Sequence, residues 1–269
     1  MKESWALVFG GGGGKGAYQI GVWKALKEAQ IENRIEAISG ASVGALNAVL
    51  FGIGDYDLAM SIWSSISPAQ FLSWNFSKEK VDKKINVSLF SRSGLSDLLE
   101  NHLPSTQLKQ AKKWIYANAS KKNQHNEWET TYFSLNHRSK EEICQILLAS
   151  SAIPYIYQPI PIQGDYYQDG GLTDDLPVYP LYQMGYRHFI VVSLTQKERI
   201  PPALFPEAQF IEIFPQESIG EIWDGVLDFS PKSAKTRMEI GYENAQEILQ
   251  NENNLLKCPE ESMQYLLDK

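Results

Sequence analysis

Three short stretches carry residue types that could do chemistry. Gly40-Ala41-Ser42-Val43-Gly44 is a G-x-S-x-G, the pattern in which a serine stands on a sharp turn between glycines. A side chain on either flank would clash in so tight a turn, and the geometry lifts the Ser42 hydroxyl out of the sheet edge. A helix starting just behind it would stabilise negative charge. An ordinary N-cap serine suits the same position; the strand-turn-helix context weighs for a nucleophile. Gly10 to Gly14 form an unbroken run that is followed by Lys15 and Gly16. Gly11, Gly13 and Gly16 satisfy G-x-G-x-x-G, and bare N–H groups at a helix start make an anion site. That anion is either a nucleotide phosphate or the oxyanion of a reacting ester. The third stretch, Gln168-Asp169-Gly170-Gly171-Leu172, places one acid before two glycines. A plain Asp-Gly turn is the bland account, and Asp165, Asp174 and Asp175 compete with Asp169 for any role.

The elements around these stretches fix their context. Trp5 to Phe9 is a short apolar run ending in glycine, as in a buried strand. Apolar residues then recur at Ala17, Ile20, Val22, Trp23 and Leu26, the spacing of an amphipathic helix. Ile35 to Gly40 reads as a second strand, and the apolar stretch after Ser42 as a buried helix closed by Gly52 and Gly54. This strand-turn-helix alternation predicts an α/β fold with a largely parallel sheet.

Further along, about Asp55 to Ser77 reads as helix. The stretches KKWIYANA and WETTYFSL read as strands joined by a polar turn. Ser139 and Glu142 form a capping box ahead of a helix. Pro154, Pro159 and Pro161 impose extended chain, DYYQDGGL reads as a turn, and RHFIVVSL is a buried strand. A last helical tract spans about Lys232 to Gln250.

Bulk properties exclude several classes. With 269 residues, 43% hydrophobic, one large domain is expected rather than two small ones. A net charge of -7 argues against nucleic-acid binding and against a polybasic route to acidic lipids. Cys144 and Cys258 form no framework, the four histidines lie far apart, and no zinc pattern exists. The N-terminus lacks a signal-peptide core, and no stretch approaches a membrane span. A cytoplasmic protein without cofactor or metal is the expectation, with the oligomeric state open.

The phosphate-binding alternatives are weaker. The Walker spacing puts Phe9 where a glycine is required and Gly16 where Ser or Thr is required. A dinucleotide-binding oxidoreductase would use Glu36 on the ribose, but Glu36 precedes the apolar end of its strand. No histidine stands where a hydrolase triad would place its base: His188 precedes an apolar strand, and His102, His125 and His137 lie in the irregular middle.

Taken together, the three stretches resemble the patatin-like phospholipase family. The glycine loop, the G-x-S-x-G and the D-G-G match that family's motifs, and LLASSAIPYIYQPI resembles its A-S-x-A-x-P block. Asp175 departs from the asparagine usual at its position. The likeness is strong over residues 5–195 and weaker over 196–269, within a single domain spanning residues 1–269.

The resemblance implies a three-layer α/β/α architecture and a Ser-Asp dyad without histidine. Ser42 would attack an acyl carbonyl, and Asp169 would take its proton and later activate water. Backbone N–H groups of Gly11, Gly12 and Gly13, with that of Val43, would hold the oxyanion, each worth roughly 3 kcal/mol. Gly16, Gly40, Gly44, Gly170 and Gly171 would support these turns. Lys15 would orient the loop or favour an anionic headgroup, or merely snorkel at the surface. The implied substrates are phospholipids, lysophospholipids or related acyl esters, with peripheral contact to a membrane. Phe71, Leu72, Trp74 and Phe76 are candidates to line an acyl channel. A lipid-binding protein of the same fold without turnover is a further alternative.

Overall fold

The computed structural model describes residues 4–66, 73–74, 90–91 and 93–251. Its first strand, β1 (Trp5–Phe9), is buried on both faces, which is why it reads as an uninterrupted apolar run. Successive side chains point to opposite faces. Trp5, Leu7 and Phe9 enter a large core with the first helices, whereas Ala6 and Val8 join a smaller one with Val178, Leu181, Phe189 and Val191. Helices therefore cover both sides of the sheet.

The main sheet is built from β1, β2 (Ile35–Ala41), β5 (Trp114–Lys122), β6 (Trp128–Ser134), β7 (Ile160–Ile162), β8 (Asp165–Gln168), β9 (His188–Val192) and β10 (Gln209–Ile213). Its order is β10-β9-β1-β2-β5-β8-β7, with β6 also on β5. The pairs β10–β9, β9–β1, β1–β2 and β2–β5 are parallel. β6 and β8 run antiparallel to β5, and β7 runs antiparallel to β8. The sheet is thus mostly parallel, with an antiparallel end that carries Asp169.

Helix α1 (Ala17–Glu28) follows the glycine loop and α2 (Val43–Ile53) follows Ser42. α2 ends at Gly54, whose φ of 75° suits a left-handed C-cap; Gly52 lies inside the helix, where an added Cβ would stand 2.3 Å from Ile115. Helix α3 (Tyr56–Ser65) starts at Asp55, whose side chain accepts the Leu58 N–H at 2.9 Å. The helix expected as far as Ser77 thus ends at Ser65, three residues short of Pro68, which could not continue its hydrogen bonding. Ser73–Trp74 (β3) instead pairs antiparallel with Phe90–Ser91 (β4). Phe71, Leu72 and Phe76, and Cys258, fall outside the described residues, and the acyl-channel role given to the aromatic group has no structural account there.

Also beyond the sequence-based expectation are α4 (Ser93–His102), α5 (Ser105–Gln110) and the edge strand β10. The capping box forms as expected at α6 (Lys140–Ser150), with Ser139 and Glu142 bonding each other's backbone N–H. The segment DYYQDGGL is not all turn. Asp165–Gln168 is β8, and the hairpin turn lies earlier, at Gln163-Gly164 with φ of 50° and 94°. A short helix α7 (Tyr179–Gln183) precedes β9, and α8 (Pro231–Asn251) packs along α1, where Gly21 and Gly241 let the backbones approach. No helix among the described residues is long and apolar enough to cross a membrane.

Candidate active site

Register alone brings the three chemical stretches together. In the parallel pair β1–β2, Phe9 lies beside Gly40, so the glycine loop and Ser42 leave the sheet side by side. A Cβ built on Gly11 would stand 3.1 Å from Ser42 Cβ. β2 also pairs with β5, setting Ala41 beside Asn118, and the last residue of β8, Gln168, lies beside Ser120. Asp169 therefore arrives at the strand end from which Ser42 projects.

Ser42 is the single residue between β2 and α2, at φ 53° and ψ −124°. A non-glycine residue held there stores roughly 1–3 kcal/mol of strain. The flanking glycines are required by close approach: a Cβ on Gly40 would lie 2.2 Å from the Gly44 carbonyl, and one on Gly44 would lie 2.2 Å from that of Phe9. The Ser42 N–H donates to Ser150 Oγ at 3.0 Å, and the Ser42 hydroxyl donates to Asp169 Oδ2 at 2.7 Å. Both residues are buried, at 5% and 8% exposure.

Asp169 is fixed from several sides. Its Oδ1 accepts the Gly171 N–H at 2.9 Å, its own N–H donates to the Ala152 carbonyl at 2.9 Å, and its carbonyl accepts the Ser120 hydroxyl at 2.8 Å. Asn118 Nδ2 donates to the Gly170 and Asp174 carbonyls. The competing acids have other work. Asp165 pairs with Lys121 at the surface, and Asp174 accepts the Tyr132 hydroxyl at 2.7 Å. Burial raises the carboxyl pKa of Asp174.

The glycine loop is held from behind by a buried polar chain. Gln19 Nε2 donates to the Gly10 carbonyl, Asn47 Nδ2 donates to the Gly16 carbonyl and to Gln19 Oε1, and Trp63 Nε1 donates to Asn47 Oδ1. Gly12 and Gly13 take φ of 145° and 57°, and Gly13 presses on the Val226 carbonyl. The Gly11 N–H, one of the four expected oxyanion donors, donates to Asp175 Oδ1 at 3.1 Å. Lys15 Nζ donates to the Leu194 carbonyl at 3.3 Å, and burial lowers its pKa against the pull of Asp175, Glu198 and Glu221. Arg237 on α8, 4% exposed, donates to the carbonyls of Gly14, Ile219, Asp224 and Asp228.

No histidine is among the hydrogen-bond partners described for Ser42 or Asp169. His188 opens β9 and packs on Trp5, at the opposite end of the strands, while His125 and His137 are exposed in turns. Glu36 is likewise exposed near the start of β2, away from the glycine loop, so a ribose there would not reach it. Among the described residues, no group of three or more His, Cys, Asp or Glu is arranged to hold a metal.

A small apolar recess of about 30 Å³ is lined by Val43, the residue after Ser42, with Leu46, Leu50, Ile62, Trp63 and Leu98 among its walls. Most of its residues come from α2, α3 and α4.

Sequence reasoning missed Ser150, Asn118, Ser120, Gln19, Asn47 and Arg237. Ser150 lies inside the A-S-x-A-x-P-like block, a signal that was legible but assigned no role. Polar residues that satisfy backbone groups from distant elements leave no local pattern.

Residues 7–182 match the model of the patatin-like phospholipase family. A stretch of 49 residues is 51% identical to lysophospholipase nte1 of Aspergillus terreus, covering 18% of this chain and 3% of that protein. Three solved structures share the fold. VipD of Legionella pneumophila aligns with TM-score 0.52 and 15% identity over 93% of this chain and 67% of its own. The type III effector ExoU, from Pseudomonas aeruginosa, gives 0.53 and 17% over 93% and 53%. Human GIVD cytosolic phospholipase A2 gives 0.52 and 10% over 94% and 60%. The chain thus spans about half to two thirds of these structures.

Proposed function

Because the chain belongs to the patatin-like phospholipase family, we propose that it is a lipid acyl hydrolase that works through a Ser42–Asp169 dyad. The observation that carries the reading is the 2.7 Å hydrogen bond from the Ser42 hydroxyl to Asp169 Oδ2, made by a strained serine at a helix start. Names among the similar proteins agree with it: a lysophospholipase and a phospholipase A2.

In this scheme the Ser42 proton passes to Asp169 as Oγ attacks the acyl carbonyl carbon. The tetrahedral intermediate then collapses. The ester C–O bond breaks, and the leaving alcohol takes the proton back from Asp169. Water next gives a proton to Asp169 while its oxygen attacks the acyl-serine. Expulsion of Ser42 with return of that proton releases the carboxylic acid. The Gly12, Gly13 and Val43 N–H groups, with the dipole of α2, stabilise the oxyanion. Gly11 contributes through its position, since its N–H is engaged by Asp175. Lys15, tied to Leu194, sets the far side of the loop. The catalytic domain takes in the stretch after residue 195, because α8 packs on α1 and Arg237 grips the glycine loop.

The substrate is an ester of a fatty acid, and the apolar recess lined by Val43, next to Ser42 in the chain, supports an apolar acyl group on that side. Peripheral membrane contact is supported by Ile222 and Trp223, 61% and 81% exposed, on the turn whose Val226 carbonyl abuts Gly13. A fluorophosphonate probe tests the reading: it should label wild type at Ser42 and leave Ser42→Ala unlabelled. Full ester hydrolysis by Ser42→Ala would refute it.

A further inference from the structure

The Asp175 carboxyl is wedged between the two loops that form the site. Its Oδ1 accepts the Gly11 N–H at 3.1 Å, and its Oδ2 lies 3.4 Å from where a Cβ on Gly10 would stand. A Cβ on Gly11 would come within 2.5 Å of Oδ1, and one on Gly171, in the D-G-G turn, within 2.6 Å. One carboxyl thus fills the space left by glycines on both loops, which gives Gly11 and Gly171 a packing reason to lack side chains.

The charges around it are mostly of its own sign. Glu198, from the stretch after β9, and Asp169, from the end of β8, both act on the Asp175 carboxyl with charges of its own sign. Lys15, from the glycine loop, is the cation that offsets them. Burial among like charges favours the protonated form of the Asp175 carboxyl.

We propose that Asp175 is a positioning residue for the glycine loop: its carboxyl accepts the Gly11 N–H and fills the space beside Gly10, Gly11 and Gly171, fixing the loop against Ser42. Burial, with Glu198 and Asp169 nearby, pushes the Asp175 carboxyl well above the usual range, which keeps the proton in place. A protonated carboxyl still offers an acceptor oxygen to the Gly11 N–H, as an asparagine amide would. Loss of the proton sets like charges against each other and loosens the link.

The proposal rests on the hydrolase reading only where catalysis is the readout, so its test has two arms. In the first, the Gly11 amide is followed by NMR from about pH 4 to pH 9, a span that brackets ordinary and raised carboxyl values. The Gly11 signal should titrate in wild type, stay flat in Asp175→Asn, and titrate at lower pH in Glu198→Gln. This arm needs no turnover, so it stands if the chain hydrolyses nothing. In the second, ester hydrolysis by Asp175→Asn should stay within about threefold of wild type at the optimum, because the amide oxygen keeps the Gly11 hydrogen bond. Its alkaline limb should disappear. Asp175→Ala, which loses the Gly11 hydrogen bond and the packing on Gly171, should lower kcat about 10²-fold with a smaller change in KM. A Gly11 signal that titrates alike in wild type and Asp175→Asn would overturn the proposal. So would an alkaline limb that survives in Asp175→Asn.

Discussion

The Ser42 hydroxyl and the Asp169 carboxylate, 127 residues apart in the chain, form a direct 2.7 Å hydrogen bond, and the aspartate's other oxygen accepts the Gly171 N–H. In the proposed dyad, Asp169 is thereby aimed at the Ser42 hydroxyl without an intervening imidazole. Asp169→Asn should keep the fold and lower kcat by about 10⁴-fold or more, since loss of the triad aspartate alone costs about 10⁴ in serine proteases and loss of the base costs more. Steady-state hydrolysis of a nitrophenyl ester, with thermal melting as the folding control, checks both halves. A tenfold effect or less would count against Asp169 as the base.

Ser42 sits at φ 53°, where a glycine would be at ease. Ser42→Gly should abolish turnover and raise stability by about 1 kcal/mol, since the backbone strain is relieved. Chemical denaturation of the two proteins measures this, and a destabilised glycine variant would show that the elbow stores no strain.

Arg237 binds four backbone carbonyls and Asp228 from a position 4% exposed. Arg237→Met should destabilise the fold by about 3–5 kcal/mol, because those acceptors lose their donor in a buried site. Arg237→Lys, keeping charge without the planar fork, should fold but hydrolyse more slowly, as the Gly14 end of the loop is released. Urea melts and kcat report the two effects separately.

The recess at Val43 is narrow, and Leu46 stands half-buried on its wall. Leu46→Trp should lower kcat/KM for a long-chain ester about tenfold or more while changing an acetyl ester little, because the bulk acts on the acyl tail alone. Equal losses on both esters would place the acyl chain elsewhere.

Asp175 also shapes stability against pH. Its folded carboxyl pKa is raised, so the native state holds a proton that the unfolded chain has released. Stability from this group is present below the ordinary aspartate value and is lost as pH rises toward the folded value. Asp175→Asn should therefore gain on wild type in melting temperature as pH rises from about 5 to 8, the range above an ordinary carboxyl pKa. A constant offset between the two proteins across that range would contradict the raised value.

Local spacing made much of this molecule legible before any coordinates. A sharp turn needs small neighbours, so Gly40 and Gly44 disclosed the elbow; the Ser139–Glu142 box, the buried β1 and the β5–β6 hairpin lie within a few residues of their own causes. The amino-acid sequence by itself determined that a serine stands on a strand-to-helix turn beside a glycine loop. Residue spacing left Asp165, Asp174 and Asp175 in competition with Asp169, and the family resemblance pointed to Asp169. Only the tertiary structure gave the contacts that separate them: β8 ends beside Ser120, which brings Asp169 to Ser42, while Asp165 faces Lys121, Asp174 meets Tyr132 and Asp175 meets Gly11. Hydrogen bonds between residues more than a hundred positions apart depend on strand register and layer packing, which no short window of sequence contains.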